Sequence, residues 1–148
     1  MDFPELLYAL TLKDTLGAPV ARRVIAQQTG AAAATTVSAI VYTHPDADTV
    51  AIVMQAGIIA RPGAAQNFLS ARMVLVDTPA ATELAMILGA YNNRLAVALE
   101  YPTASRVFCP VFLGDQVRVV STFDAGAAVN TIIGSIIGWI IPRGTLQR

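Results

Sequence analysis

The sequence predicts an all-β fold, an antiparallel β-sandwich with a short N-terminal helix or arm. Three observations point there. From residue 20 onward, apolar and polar residues alternate with period two, as half-buried antiparallel strands require. Pro and Gly punctuate the chain at Pro19, Gly30, Pro45, Gly57, Pro62-Gly63, Pro79, Gly89, Pro102, Pro110, Gly114 and Gly126, which suits many short strands. The 148 residues suffice for one ordinary domain and show no internal repeat. The expected organisation is an arm over 1–19 and a sandwich over 20–148.

At the start, Phe3, Leu6, Leu7 and Leu10 have helical spacing behind Pro4, and Gly17 and Pro19 end the pattern. Such a segment either lids the domain's own core or docks on a neighbouring subunit. Arg22-Arg23 reads as the polar part of a strand or as an interface contact. Gly30 to Ala34 reads as a loop or a frayed strand start. Thr35, Val37, Ala39, Val41 and Thr43 share one face of the next strand, and His44-Pro45-Asp46 turns the chain. Val50, Ile52 and Met54 then alternate with Thr49, Ala51 and Val53. Arg72, Val74 and Val76 oppose Met73 and Leu75. Residues 80–91 read as strand, although Ala, Glu, Leu and Met there also favour helix. Asn92-Asn93 reads as a hairpin turn into a strand from Arg94 to Tyr101. Further strands are expected at Arg106–Leu113 and Gln116–Phe123 around a Gly114-Asp115 turn, and a last pair at Ala127–Ile133 and Ser135–Ile141.

Composition narrows the function. Charged residues are 14% and hydrophobic residues 55%, against about 25% charged in a typical domain. That excludes disorder of the whole chain. Ten basic and ten acidic residues cancel, which argues against a nucleic-acid partner. Sparse charge implies a surface covered by copies, partners or a membrane. Nine of the ten basic residues are Arg, which fits either an interface-rich surface or a GC-rich genome. The single cysteine, Cys109, allows no intrachain disulfide, and the acidic amino terminus shows no export signal.

Few residues could carry chemistry. His44, Asp46 and Asp48 are spaced two apart, so they form either a metal-ligand face or, more simply, an Asp-capped turn. Cys109 sits in an apolar strand, where an inert thiol is the ordinary state and a nucleophile paired with His44 the sharper one. No phosphate-cradling or nucleophile-elbow motif occurs. Glu100 reads as a solvated or Arg-paired carboxylate. The expectation is therefore no enzyme, no catalytic residue, no cofactor and no metal. Residues 125–141 are uncharged and contain Gly134 and Gly138 in GxxxG spacing, so a membrane-spanning helix is one reading. Their β-branched doublets favour the strand pair, with each glycine facing a close backbone or ring, Trp139 or Phe123.

The run Val111-Phe112-Leu113-Gly114-Asp115-Gln116-Val117-Arg118-Val119-Val120, followed by Ile133-Gly134-Ser135-Ile136-Ile137-Gly138-Trp139-Ile140-Ile141-Pro142, resembles the closing strands of jelly-roll sandwiches. C1q/TNF-like domains show this pattern. Small structural proteins of tailed-bacteriophage virions end similarly, after Thr-rich strands such as Thr35-Thr36-Val37 and a turn such as Tyr42-Thr43-His44-Pro45. The chain lacks the Gly-x-Tyr-aromatic strand of C1q/TNF domains and has only 7% aromatics, which favours the virion family. That resemblance implies a jelly-roll-like capsid decoration or cement subunit, or another head or tail accessory. Its implied partners are copies of itself, as a trimer, and major capsid or tail proteins. Its implied place is the particle surface after assembly in the host cytoplasm. The contact residues expected are Phe3, Leu6, Leu7, Leu10, Arg22 and Arg23. The alternatives are a C1q/TNF-like trimeric module that binds a receptor or sugar, and a membrane subunit using residues 125–141.

Overall fold

A computed structural model describes residues 11, 13, 17, 20–64, 66–78, 80–91 and 100–143. Phe3, Leu6, Leu7 and Leu10, the Asn92-Asn93 turn and the strand expected from Arg94 lie outside these residues.

Eight strands are present: β1 (Arg22–Ala32), β2 (Thr36–Thr43), β3 (Thr49–Arg61), β4 (Phe68–Asp77), β5 (Thr82–Tyr91), β6 (Tyr101–Val111), β7 (Gln116–Phe123) and β8 (Asn130–Pro142). They form two four-stranded sheets, ordered β1-β8-β3-β6 and β2-β7-β4-β5, and the ladders are antiparallel throughout. The chain crosses between the sheets at every connection except β4 to β5. This strand order is that of a jelly roll.

The core lies between the sheets. Ala51, Val53, Ala56, Ile58, Val111, Ile132 and Ile136 of the first sheet meet Val37, Val41, Phe68, Met73, Val117, Val119 and Phe123 of the second. Phe68 and Phe123 pack edge to face, with ring centroids 6.4 Å apart. One end of the sandwich is pinned by Asn130. Its amide donates to the Ala34 and Ala125 carbonyls at 2.9 and 2.8 Å and accepts from Gly63 N–H at 2.8 Å. Three loops are thereby held by one buried side chain.

Several expectations needed correction. The last strand pair is one strand, β8. Gly134 and Gly138 make no turn, because neither has positive φ. A Cβ on Gly134 would fall 2.6 Å from Val41 Cγ2 and 2.9 Å from Val119 Cγ1, and one on Gly138 would strike the Ile52 carbonyl. The close neighbours are therefore β2, β7 and the β3 backbone, and not Trp139 or Phe123. The same strand corrects the spanning-helix reading of 125–141, and no helix among the described residues is long and apolar enough to cross a membrane. Gly30 lies inside β1, where a Cβ would meet the Ser38 carbonyl of β2 at 2.5 Å. β3 runs through Gly57 to Arg61. β6 starts at Tyr101 and ends at Val111, with Leu113 in the turn; it carries Pro102 and Pro110 as an edge strand can. Residues 82–91 are strand, and β7 spans the residues expected.

Candidate functional site

His44 is the natural place to look for chemistry, and its geometry is that of a strut. The ring is buried. Nδ1 lies 2.9 Å from the Tyr42 hydroxyl, and Nε2 lies 3.1 Å from the Thr49 carbonyl and 3.0 Å from Thr49 Oγ1. Asp46 caps the same loop: one oxygen accepts from Asp48 N–H at 2.9 Å and the other from Thr49 Oγ1 at 3.1 Å. These bonds hold the Asp46 carboxyl below the usual carboxylate range. Burial pushes the Tyr42 phenol up, against a smaller downward pull from Arg22. His44, Asp46 and Asp48 thus build the turn, and no cluster of three potential metal ligands occurs among the described residues. Cys109 is on the inner face of β6 opposite Val53. Burial, with Asp115 adding to it, raises its thiol pKa. Glu100 forms an ion pair with Arg61 at 2.7 Å.

The outer face of the β1-β8-β3-β6 sheet is different in kind. Registers place its outward residues in rows that cross all four strands. Arg23, Trp139, Ile52 and Pro110 form one row; Ile25, Ile137, Gln55 and Arg106 the next. Gln27, Ser135, Gly57 and Ala104 follow, then Thr29, Ile133, Ile59 and Pro102. Ile52 and Trp139 of the first row belong to a satellite cluster in which Val50, Ile52 and Ile141 are fully buried beside Ala21 and Met54. The other rows are open. Ile25 is 64% exposed, and Ile133, Ile137 and Ile59 are half-buried.

Between the two isoleucine rows the Ser135–Gly57–Ala104 row forms a trough. A hollow of about 240 Å³ lies along Gly57, Ile59, Pro102, Ala104 and Ser135, and a smaller one of about 70 Å³ adjoins Gln55 and Ile137. A bulge in β3 between Val53 and Gln55 creates this surface. Before it, Ala51 and Val53 face the core; after it, Ala56 and Ile58 do, so Gly57 and Ile59 turn outward.

The opposite outer face mixes ion pairs with exposed apolar residues, Ile40 at 48% and Met86 at 61% exposure. Arg72 pairs with Glu83 across β4 and β5 at 2.8 Å, and Arg118 donates to Gln116 at 2.8 Å. Both outer faces therefore carry exposed apolar residues beside arginines, Arg72 and Arg118 on one and Arg23 and Arg106 on the other. An outward face in an antiparallel sandwich is ordinarily solvated, and an apolar one marks a surface to be covered.

Among the expected contact residues, Arg23 stands on this face beside Trp139, whereas Arg22 alternates to the other side of β1, opposite Ile140. Ile25, Ile59, Ile137 and Gly57 were not anticipated. Only for Ile137 was a signal present, in β8, whose apolar run continues on both faces.

The chain matches no protein-family model and no curated protein. Among solved structures it is similar to the capsid asymmetric unit of cyanophage Pam1, at 12% identity and TM-score 0.47, covering 82% of this chain and 86% of that one. It is also similar to Eiger TNF from S. frugiperda, at 10% identity and TM-score 0.44, covering 77% and 91%. A third, from infectious bursal disease virus strain Gt, has 10% identity and TM-score 0.40, covering 84% of this chain and 34% of that one. The jelly-roll assignment rests on the strand order itself.

Proposed function

We propose that this chain is a non-enzymatic structural subunit of a virion, a capsid decoration or cement protein or another head or tail accessory, acting by surface burial. The observation that carries the reading is the open apolar outer face of the β1-β8-β3-β6 sheet. Covering it removes Ile25, Ile59, Ile133 and Ile137 from water, at roughly 25 cal/mol per Å² of apolar area. An interface of standard size hides about 1,600 Å² in total. On a repeating lattice, weak contacts are multiplied by effective concentration. The low charge content, the engaged His44 and the buried Cys109 fit a scaffold better than a catalyst. The closing-strand motif supplies the virion part of the proposal.

The test is co-purification with particles of the virus that encodes the chain, combined with light scattering of the isolated subunit. The expected result is an oligomer that attaches to particles at constant copy number, and an Ile137→Asp variant that loses both properties. A soluble trimer absent from particles would favour the C1q/TNF-like binding module instead. A well-behaved monomer that attaches to nothing would overturn the proposal.

A further inference from the structure

We propose that the edge strand β1 is a self-pairing surface. Two copies of this chain join β1 to β1, antiparallel, across a two-fold axis at Ile25, and their four-stranded sheets become continuous. The contact lies on the edge of the sheet and not on its outer face, and it stands independently of the virion reading.

The four sheet edges are the first argument. The strand order leaves β1, β6, β2 and β5 at the edges. An edge strand offers its backbone donors and acceptors to any strand that approaches, and folds guard it with prolines, bulges or lysines. Three of these edges are guarded. β6 carries Pro102 and Pro110. β2 shifts register against β7 between Ile40 and Tyr42. β5 shifts against β4 after Met73 and again after Leu75. β1 has none of these devices. It pairs with β8 along all 11 residues without a bulge, contains no Pro and no Lys, and has β8 as its only partner strand among the described residues. Ile25 is 64% exposed, whereas Ile137, its neighbour on central β8, is half-buried. The difference is the neighbouring strand that β1 lacks on its far side.

Self-complementarity is the second argument. A two-fold axis normal to the sheet sets outward residues opposite outward residues. Centred at Ile25, it places Ile25 against its own copy, Val24 against Ala26, Arg23 against Gln27 and Arg22 against Gln28. Apolar meets apolar, and each guanidinium meets an amide that can accept from it. Val24 and Ala26 face inward, so the joint is apolar on its inner side. The neighbouring registers are worse. Centring at Arg23 sets two like charges directly opposite. Centring at Val24 sets Arg23 against Ile25 and Arg22 against Ala26. Centring at Ala26 carries Arg22 to Gly30, where β2 closes the edge: a Cβ on Gly30 would meet the Ser38 carbonyl at 2.5 Å. Pairing is thus confined to residues 22–28.

The experiment uses the full chain in a Cys109→Ser background. Ile25→Cys stands opposite itself at the axis, where Cβ atoms about 4.5–5.5 Å apart are within reach of a disulfide. Mild oxidation is expected to give at least tenfold more covalent dimer than for Leu113→Cys, a comparably exposed control in the β6–β7 turn. The register is read separately. Arg23→Cys and Gln27→Cys, co-expressed, are expected to link to each other at least tenfold more than either links to itself. Adding Ile25→Lys to that pair sets like charges across the axis and is expected to abolish the link, while the urea midpoint of the exposed-site variant stays unchanged. A dimer no more abundant than in the control, or Arg23→Cys linking to itself as readily as to Gln27→Cys, overturns the pairing. Attachment to particles without the cross-link would sink only the pairing, and the cross-link without attachment only the virion reading.

Discussion

His44 Nδ1 lies 2.9 Å from the hydroxyl of Tyr42, two residues before it in the chain. The Thr49 carbonyl opposite Nε2 can only accept, so Nε2 donates to it, and in the neutral ring Nδ1 then accepts from the phenol. The elevated pKa of Tyr42 keeps that donor protonated. Together with His44 N–H to the Asp115 carbonyl and Gly114 N–H to the His44 carbonyl, the pair ties the β2–β3 loop to the β6–β7 turn.

Tyr42→Phe should therefore leave a buried nitrogen without its donor. The expected loss is about 1–3 kcal/mol of folding stability, read by urea unfolding. A change of only a few tenths would show that the ring is not a strut.

Gly134→Val tests the approach of β8 to the facing sheet. Its Cβ would fall 2.6 Å from Val41 Cγ2, so the core must shift, at a cost of about 1–3 kcal/mol or more. Gly89→Ala is the control. Its nearest atom is the flexible Met86 Sδ at 3.2 Å, and the expected change is within about 0.5 kcal/mol. Equal effects at both positions would contradict the packing described.

Asp124 accepts from the Asn67 backbone and side-chain amides, each at 2.7 Å, and these bonds lower its pKa. A carboxyl with a depressed folded pKa adds stability above its unfolded value, near 3.9. That stability is lost as pH falls below about 4 and through the folded value. Asp124→Asn should flatten the acid side of a stability–pH profile measured by urea midpoint between pH 2 and 6. An unchanged acid slope would count against the assignment.

Cys109 is buried with a raised thiol pKa, so little thiolate is present near neutrality. Native protein should react slowly with a thiol-disulfide reagent, and denatured protein at the rate of a free cysteine. Rapid native labelling would reveal an accessible, activated thiol and reopen the case for catalysis.

Much of the fold was legible because period two is a local property. Val37 and Val41 face the core, Arg72, Val74 and Val76 share the outer side, and Gln116–Phe123 forms a strand as its alternation implies. The β3 surface was not legible. Val50, Ile52 and Met54 read as one face opposed to Ala51 and Val53, yet both sets are largely buried, and the bulge then exchanges the faces. No residue type announces a bulge of this kind, since it depends on partner strands. β8 misled for a related reason: glycine marks either a turn or a close approach, and only the facing residues decide which.

Composition and alternation alone determined that this chain forms paired strands, because burial preference and strand period act residue by residue. Tertiary structure decided where the uncovered surface lies. Ile25, Ile59 and Ile137 come from three strands, and only long-range registry brings them to one face. The same registry places Gly57 beside Ser135 to form the trough.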